Sequence, residues 1–276
     1  QFIATAYNLL ENKGAYLNTG TWSTKAIKEA KILGEVVEVA SSADANFNYI
    51  PKEYSVPTDA DYLHITTNNT IFGTQIKNIP VTDTVLVSDS SSDIFSRELD
   101  FSKFGILYAG AQKNMGPAGT TLVVVREDVL GKVKHSIPSM LDYAIHSSKG
   151  SMFNTPPVFA VYTSMLTLEW LKNLGGIKAI EVQNNAKAEL MYGEIDRNPL
   201  FKGFAAQEDR STMNATFTLE EAKLKERFDS MCADALINGI NGHRSVGGYR
   251  ASMYNALPIA SVQTLVDVMK ELERTA

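Results

Sequence analysis

The 276 residues, 44% of them hydrophobic, suffice to bury a large core, and their length fits one large unit with a smaller one beside it. A net charge of −5 offers no basic surface for nucleic acid, and no apolar run approaches the roughly 20 residues that cross a bilayer. Cys232, the single cysteine, excludes an intramolecular disulfide framework and fits a reducing, cytoplasmic setting.

The first ten residues carry neither an N-cap nor a polar lead, so the chain reads as starting inside a helix over residues 4–13, with a front segment expected before it. Residues 13–19 turn into a short strand ending at Gly20-Thr21-Trp22, and a helix follows over 23–33. At that junction Trp22 either fills core or offers its indole face to another aromatic ring. Strands are expected at 36–40, 62–66, 84–87, 106–108 and 121–125, spaced by helical or loop segments. That rhythm belongs to an α/β fold with a mostly parallel sheet.

In open α/β sheets ligands gather at the carboxyl ends of strands. Asn68, Asn69 and Thr70 follow one such end, where they form turns or meet a ligand. Asp89 closes another, ahead of Ser90, Ser91 and Ser92, and is either a turn residue or a carboxylate facing a cofactor. Against a pyridine nitrogen, a carboxylate keeps the ring protonated and so makes it an electron sink.

Between the apolar runs 104–108 and 120–125 lies Tyr108-Ala109-Gly110-Ala111-Gln112-Lys113-Asn114-Met115-Gly116-Pro117-Ala118-Gly119. Its small residues let backbone approach a flat ligand closely. A lysine held against apolar surroundings loses its preference for the ammonium form and becomes a nucleophile toward an aldehyde. Alone, Lys113 could equally be a solvated lysine in a glycine-containing connection; with Asp89 ahead of it, the stretch reads as the lysine loop of a pyridoxal-phosphate enzyme.

Residues 128–145 are helical in pattern with a break at Pro138. Then Asn154-Thr155-Pro156-Pro157 leads a helix over 158–174, and the prolines leave both polar side chains at a helix N-terminus, as caps or as anion ligands. Gly175-Gly176 closes that helix. A long helix over 177–196 passes into a smaller α+β unit, dividing the chain into 1–175 and 176–276. Within it, strands are expected at 213–219 and 249–254, and helices at 220–238 and 258–273. The last helix carries Ile259, Val262, Leu265, Val266, Met269 and Leu272 on one face. Cys232 reads as a buried small hydrophobe. His243, Arg244 and Arg250, on a glycine-rich turn and the strand after it, form either a solvated basic turn or two guanidinium forks suited to carboxylate or phosphate. No metal cluster, Walker loop or Ser-His-Asp triad competes.

Taken together, Gly20-Thr21-Trp22, Asn68-Asn69-Thr70-Ile71, the stretch from Ser88 to Arg97, the lysine loop, Met152-Phe153-Asn154-Thr155-Pro156-Pro157 and the stretch from Gly242 to Ser252 resemble the phosphoserine aminotransferase family, in order and over nearly the whole chain. The resemblance implies a fold-type-I, class-V enzyme with a mostly parallel, seven-stranded-type sheet and a smaller C-terminal α+β domain, working as a homodimer with shared active sites. It implies pyridoxal 5'-phosphate bound to Lys113, with Asp89 at the ring nitrogen, Trp22 stacked on the ring and Thr70 near the phenolic oxygen. The cofactor phosphate would meet Gln112 from the same subunit and Asn154 and Thr155 from the neighbour, together with a glycine-rich turn upstream of Gln1. Arg250 would hold the substrate α-carboxylate, and His243 and Arg244 the substrate phosphate, from the partner subunit. The implied reaction moves the amino group of glutamate to 3-phosphohydroxypyruvate in serine biosynthesis, with 4-phosphohydroxythreonine as a related substrate in pyridoxine biosynthesis. Two alternatives stand beside it. A desulfurase- or lyase-like enzyme of the same fold needs a mobile nucleophilic cysteine, and a catalytically inactive fragment needs none of these groups to act.

Overall fold

The computed structural model describes residues 1–244 and 246–276, so Ser245 of the basic turn lies outside the described residues. In chain order the first half comprises α1 (Phe2–Leu9), β1 (Lys13–Asn18), α2 (Thr21–Ala30), β2 (Glu35–Ser41), β3 (Tyr62–Thr66), the two-residue strands β4 (Asn68–Asn69) and β5 (Thr74–Gln75), β6 (Val85–Asp89), β7 (Ile106–Gly110) and β8 (Thr121–Val125). The central sheet runs β2-β1-β3-β6-β7-β8, parallel except for the antiparallel β7-β8 pair. The exception has a simple cause. Residues 111–120 are too few to hold the crossover that a parallel return requires, so β8 comes straight back along β7.

Six strands form this sheet among the described residues, where the resemblance led us to expect seven. After β8 the chain leaves through a 3₁₀ turn at Glu127–Val129, and no later strand joins. Side chains alternate across the strands, which is why both faces are apolar. Tyr16, Tyr62, Val87 and Ile106 face α1 and α2, while Leu17, Leu63, Leu86 and Leu107 face the opposite side.

The second half comprises α3 (Tyr143–Ser148), α4 (Val158–Asn173), α5 (Gly176–Arg197), β9 (Phe201–Gly203), β10 (Asn214–Leu219), α6 (Lys225–Asp234), β11 (Tyr249–Ser252) and α7 (Ile259–Thr275). An antiparallel sheet, β11-β10-β9, builds a second core from Phe201, Phe217, Phe228 and Tyr249. The apolar stripe of α7 packs onto it, apart from Ile259, which is 49% exposed. Gly175 and Gly176 take φ of +112° and +74°, the left-handed backbone that ends α4 and opens α5.

Several expected elements are shorter than their patterns. Residues 128–145 are not a helix. Gly131 adopts φ +66°, and regular helix starts only at Tyr143, where the Asp142 carboxylate accepts from the Ala144 N–H at 2.8 Å. The helix expected over 220–238 is confined to α6, because Leu236 and Gly239 turn left-handed beyond it. The three residues of β9 are too few to register as a period in the sequence.

Candidate active site

Thr66 at the end of β3 pairs with Asp89 at the end of β6, and Asp89 in turn with Tyr108 on β7. The carboxyl ends of three adjacent parallel strands thus open side by side, where such sheets bind ligands. A cavity of about 390 Å³ lies there, with Trp22, Thr66, Asp89, Tyr108, Gln112 and Lys113 in its wall. A larger cleft of about 1000 Å³, between residues 50–61 and 76–85, contains none of the expected site residues.

The Lys113 Nζ donates to Thr70 Oγ1 at 3.1 Å and sits 5.8 Å from the centre of the Trp22 ring. Burial is the main influence on this amine and lowers its pKa. Arg250 adds to the lowering, while the Asp89 carboxylate opposes it. Asp89 is 7% exposed, and its Oδ1 accepts from the Ser91 N–H at 3.0 Å. Desolvation raises its pKa, partly offset by Ser91 and by the charge of Lys113.

Two polar atoms near the cavity, Trp22 Nε1 and Thr66 Oγ1, are buried without a hydrogen-bond partner. A Cβ at Gly110 would come within 2.5 Å of Gln112 Oε1, so a larger residue there would make the end of that flexible side chain move.

The model of the class-V aminotransferase family matches residues 9–265. A phosphoserine aminotransferase from Flavobacterium psychrophilum is 65% identical over 275 residues, covering 99% of this chain and 77% of that protein. The chain belongs to the phosphoserine aminotransferases. Solved members of the family have the same backbone. One, studied for radiation damage of its Schiff base, superposes with a TM-score of 0.96 at 44% identity over 100% of this chain and 78% of its own. The pyridoxal-phosphate-bound enzyme from Trichomonas vaginalis gives 0.92 at 36% identity, over 98% and 79%.

Of the residues the phosphoserine aminotransferase pattern singled out, the fold brings Trp22, Thr70, Asp89, Gln112 and Lys113 together. Arg250 is half-buried on β11, near enough to act on the Lys113 charge, and its Nε is buried without a partner. Asn154 and Thr155 stay exposed and away from the cavity. Neither caps α4, whose cap position is taken by Pro157. His243 is half-buried and Arg244 exposed on the turn before β11, and neither lines the cavity.

Thr66, Ser91 and Tyr108 were not anticipated. Their positions at or just after strand ends would have flagged them, since each shares its edge of the sheet with Asp89 or Lys113. Cys232 is buried beneath the second sheet with its thiol pushed up to about 11, so it supplies almost no thiolate at neutral pH. Among the described residues no cluster of His, Cys, Asp and Glu could hold a metal, and no helix is long and apolar enough to cross a membrane.

Proposed function

We propose that this chain transfers the amino group of glutamate to 3-phosphohydroxypyruvate, giving phosphoserine and 2-oxoglutarate, with pyridoxal 5'-phosphate as cofactor and 4-phosphohydroxythreonine as a second amino-group carrier. The observation that carries the reading is the buried amine of Lys113, held by Thr70 beside the Trp22 ring in the cavity that Asp89 also lines. A depressed amine, a sunken carboxylate and an indole with an unpartnered N–H fit that cofactor. They do not fit a thiol-based desulfurase, because Cys232 is sealed in a core.

When bound, the cofactor supplies an aldehyde for a primary amine and a ring that draws electrons from the substrate α-carbon. Lys113 provides the amine that anchors it. Once displaced by the incoming amino group, its Nζ is a base of lowered pKa, able to take the α-proton and return it. Thr70 aims Nζ; Asp89 would hold a proton on the ring nitrogen of a bound cofactor, and Trp22 would offer its face to the ring. Arg250 takes the α-carboxylate.

A homodimer completes this site, on our reading. Val158, Phe159, Val161, Tyr162, Met165 and Leu166 are all exposed on α4, a contiguous apolar surface of the kind that marks protein interfaces. It follows directly on Asn154 and Thr155, which would be carried to the neighbour's cofactor phosphate, while Gln112 meets that phosphate from within. His243 and Arg244 would likewise serve the partner's substrate phosphate. Residues 1–175 form the cofactor-binding unit and 176–276 the smaller one, a division supported by their separate cores. The enzyme works in the cytoplasm, in keeping with its one buried thiol.

The test is to supply the chain with pyridoxal phosphate, glutamate and 3-phosphohydroxypyruvate. Phosphoserine and 2-oxoglutarate should appear in equal amounts. Turnover of cysteine to sulfide instead, or none at all, would overturn the assignment.

A further inference from the structure

Three asparagines hold three successive carbonyls. Asn114 Nδ2 donates to the Ile94 oxygen at 3.1 Å, Asn255 Nδ2 to that of Phe95 at 2.9 Å, and Asn184 Nδ2 to that of Ser96 at 3.0 Å. They are also joined to one another. The Asn255 backbone N–H donates to Asn114 Oδ1 at 3.0 Å, and Asn184 Nδ2 donates to Asn255 Oδ1 at 2.9 Å, while Asn184 Oδ1 is buried without a partner. All three are buried, at 5%, 4% and 1% exposure.

Such a network is costly to bury unless its groups are paired, and once paired it fixes geometry. Phe95 shows how firmly. Its φ of +57° is unfavourable for an aromatic residue and persists only where the surroundings impose it.

The network joins the two halves of the site. Asn114 is the residue after Lys113, the Ile94–Ser96 segment follows Asp89 along the chain, and Asn255 stands in the turn after β11, which carries Arg250. That turn is clamped from behind, because the Lys187 Nζ on α5 donates to the carbonyls of Met253, Tyr254 and Leu257 at 3.0, 2.9 and 3.1 Å. It also comes up beside Thr70. The Tyr254 hydroxyl accepts from Asn214 Nδ2 at 3.3 Å and has Thr70, the partner of Lys113, as another hydrogen-bonding neighbour.

We propose that Asn114 is a positioning residue for Lys113, its side chain held between the Asn255 backbone N–H and the Ile94 carbonyl so that the neighbouring amine stays against Thr70 and in register with Asp89 and Arg250. The role rests on the reading of Lys113 as the cofactor-bearing amine. It goes beyond that reading in assigning the amine's placement to the smaller unit. An amine displaced by even 1 Å from its productive position costs on the order of a hundredfold in rate.

The experiment is competitive acylation of the cofactor-free chain across pH, with the labelling midpoint of Lys113 read by peptide mass. The charged groups acting on Lys113 are Asp89, Asp93 and Arg250, and none is altered in the variants. Asn114→Ala, which removes that side chain's bonds to Ile94 and Asn255, should let water reach the amine and raise the midpoint by about half a pH unit or more, whereas Asn255→Ala, which keeps the backbone N–H to Asn114, should move it less. In the loaded enzyme, kcat should fall about tenfold with KM for the keto acid within about twofold. Phe228→Leu, in the core of the second unit, matches them for lost stability and should leave the midpoint unmoved. If Asn114→Ala does not fold, Asn114→Ser is read in its place. An unmoved midpoint in the folded Asn114 variant overturns the proposal. Shifted midpoints in a chain that takes up no pyridoxal phosphate would instead sink the amino-transfer reading and uphold the positioning one.

Discussion

Lys113 and Thr70, 43 residues apart in the chain, are joined by a hydrogen bond of 3.1 Å in which the amine donates. Lys113→Ala should therefore abolish transamination and leave the fold intact, since the side chain ends in a cavity rather than in a core. Borohydride reduction of the loaded chain should fix cofactor to the peptide containing Lys113. Wild-type turnover in the alanine variant, or label on another lysine, would remove Lys113 from its role.

Asp89→Asn should keep the cofactor bound yet lower kcat by at least about a hundredfold, near 3 kcal/mol of barrier, because a neutral amide no longer holds the proton on the ring nitrogen. Steady-state kinetics together with cofactor absorbance decide it. Near-normal kcat would reduce Asp89 to a strand-end turn residue.

The Lys113 pKa should respond to its neighbours with opposite signs. Asp89 attracts the ammonium proton, so Asp89→Asn should lower the pKa further. Arg250 repels it, so Arg250→Ala should raise it. Acylation of cofactor-free protein against pH measures both, and shifts of equal sign would mean that burial changes rather than charge are being read.

Lys187→Met should destabilise the protein by roughly 3 kcal/mol, since it leaves the carbonyls of Met253, Tyr254 and Leu257 unsatisfied at about 1–3 kcal/mol each before relaxation. Burial lowers the Lys187 pKa to about 8. The folded chain thus sheds this proton before the unfolded one does. The stability contributed by Lys187 should rise from pH 8 toward the ordinary lysine value of about 10.4. Urea denaturation of both proteins at pH 7 and pH 10 tests this, and a gap that narrows with pH would contradict it.

If two chains pair through α4, as proposed, Phe159→Asp should separate them. Phe159 is 76% exposed in the first turn of α4, on its apolar face, and a charge there cannot be buried unpaired. Sedimentation at micromolar concentration should show dimer for the parent and monomer for the variant; unchanged dimers would move the interface elsewhere.

What the sequence determined by itself was whatever is written locally. Runs of β-branched and aliphatic residues announced the strands of the central sheet, because a strand buried on both faces has no polar position to spare. Lys113 and Asp89 were legible only in company: alone, each reads as a surface lysine or a strand-end turn residue, and it is the ordered run of stretches around them that singles them out. Only the tertiary structure decided the rest. The helical pattern of residues 128–145 failed because the left-handed turn at Gly131 outweighs propensity, and tertiary packing anchors only its last part, where Asn8 accepts from the Tyr143 N–H at 3.1 Å. The hydrogen bond from Asn255 to Asn114 spans 141 residues. An asparagine's sequence neighbours say that it can turn or cap, but which carbonyl it satisfies depends on which elements the core brings beside it.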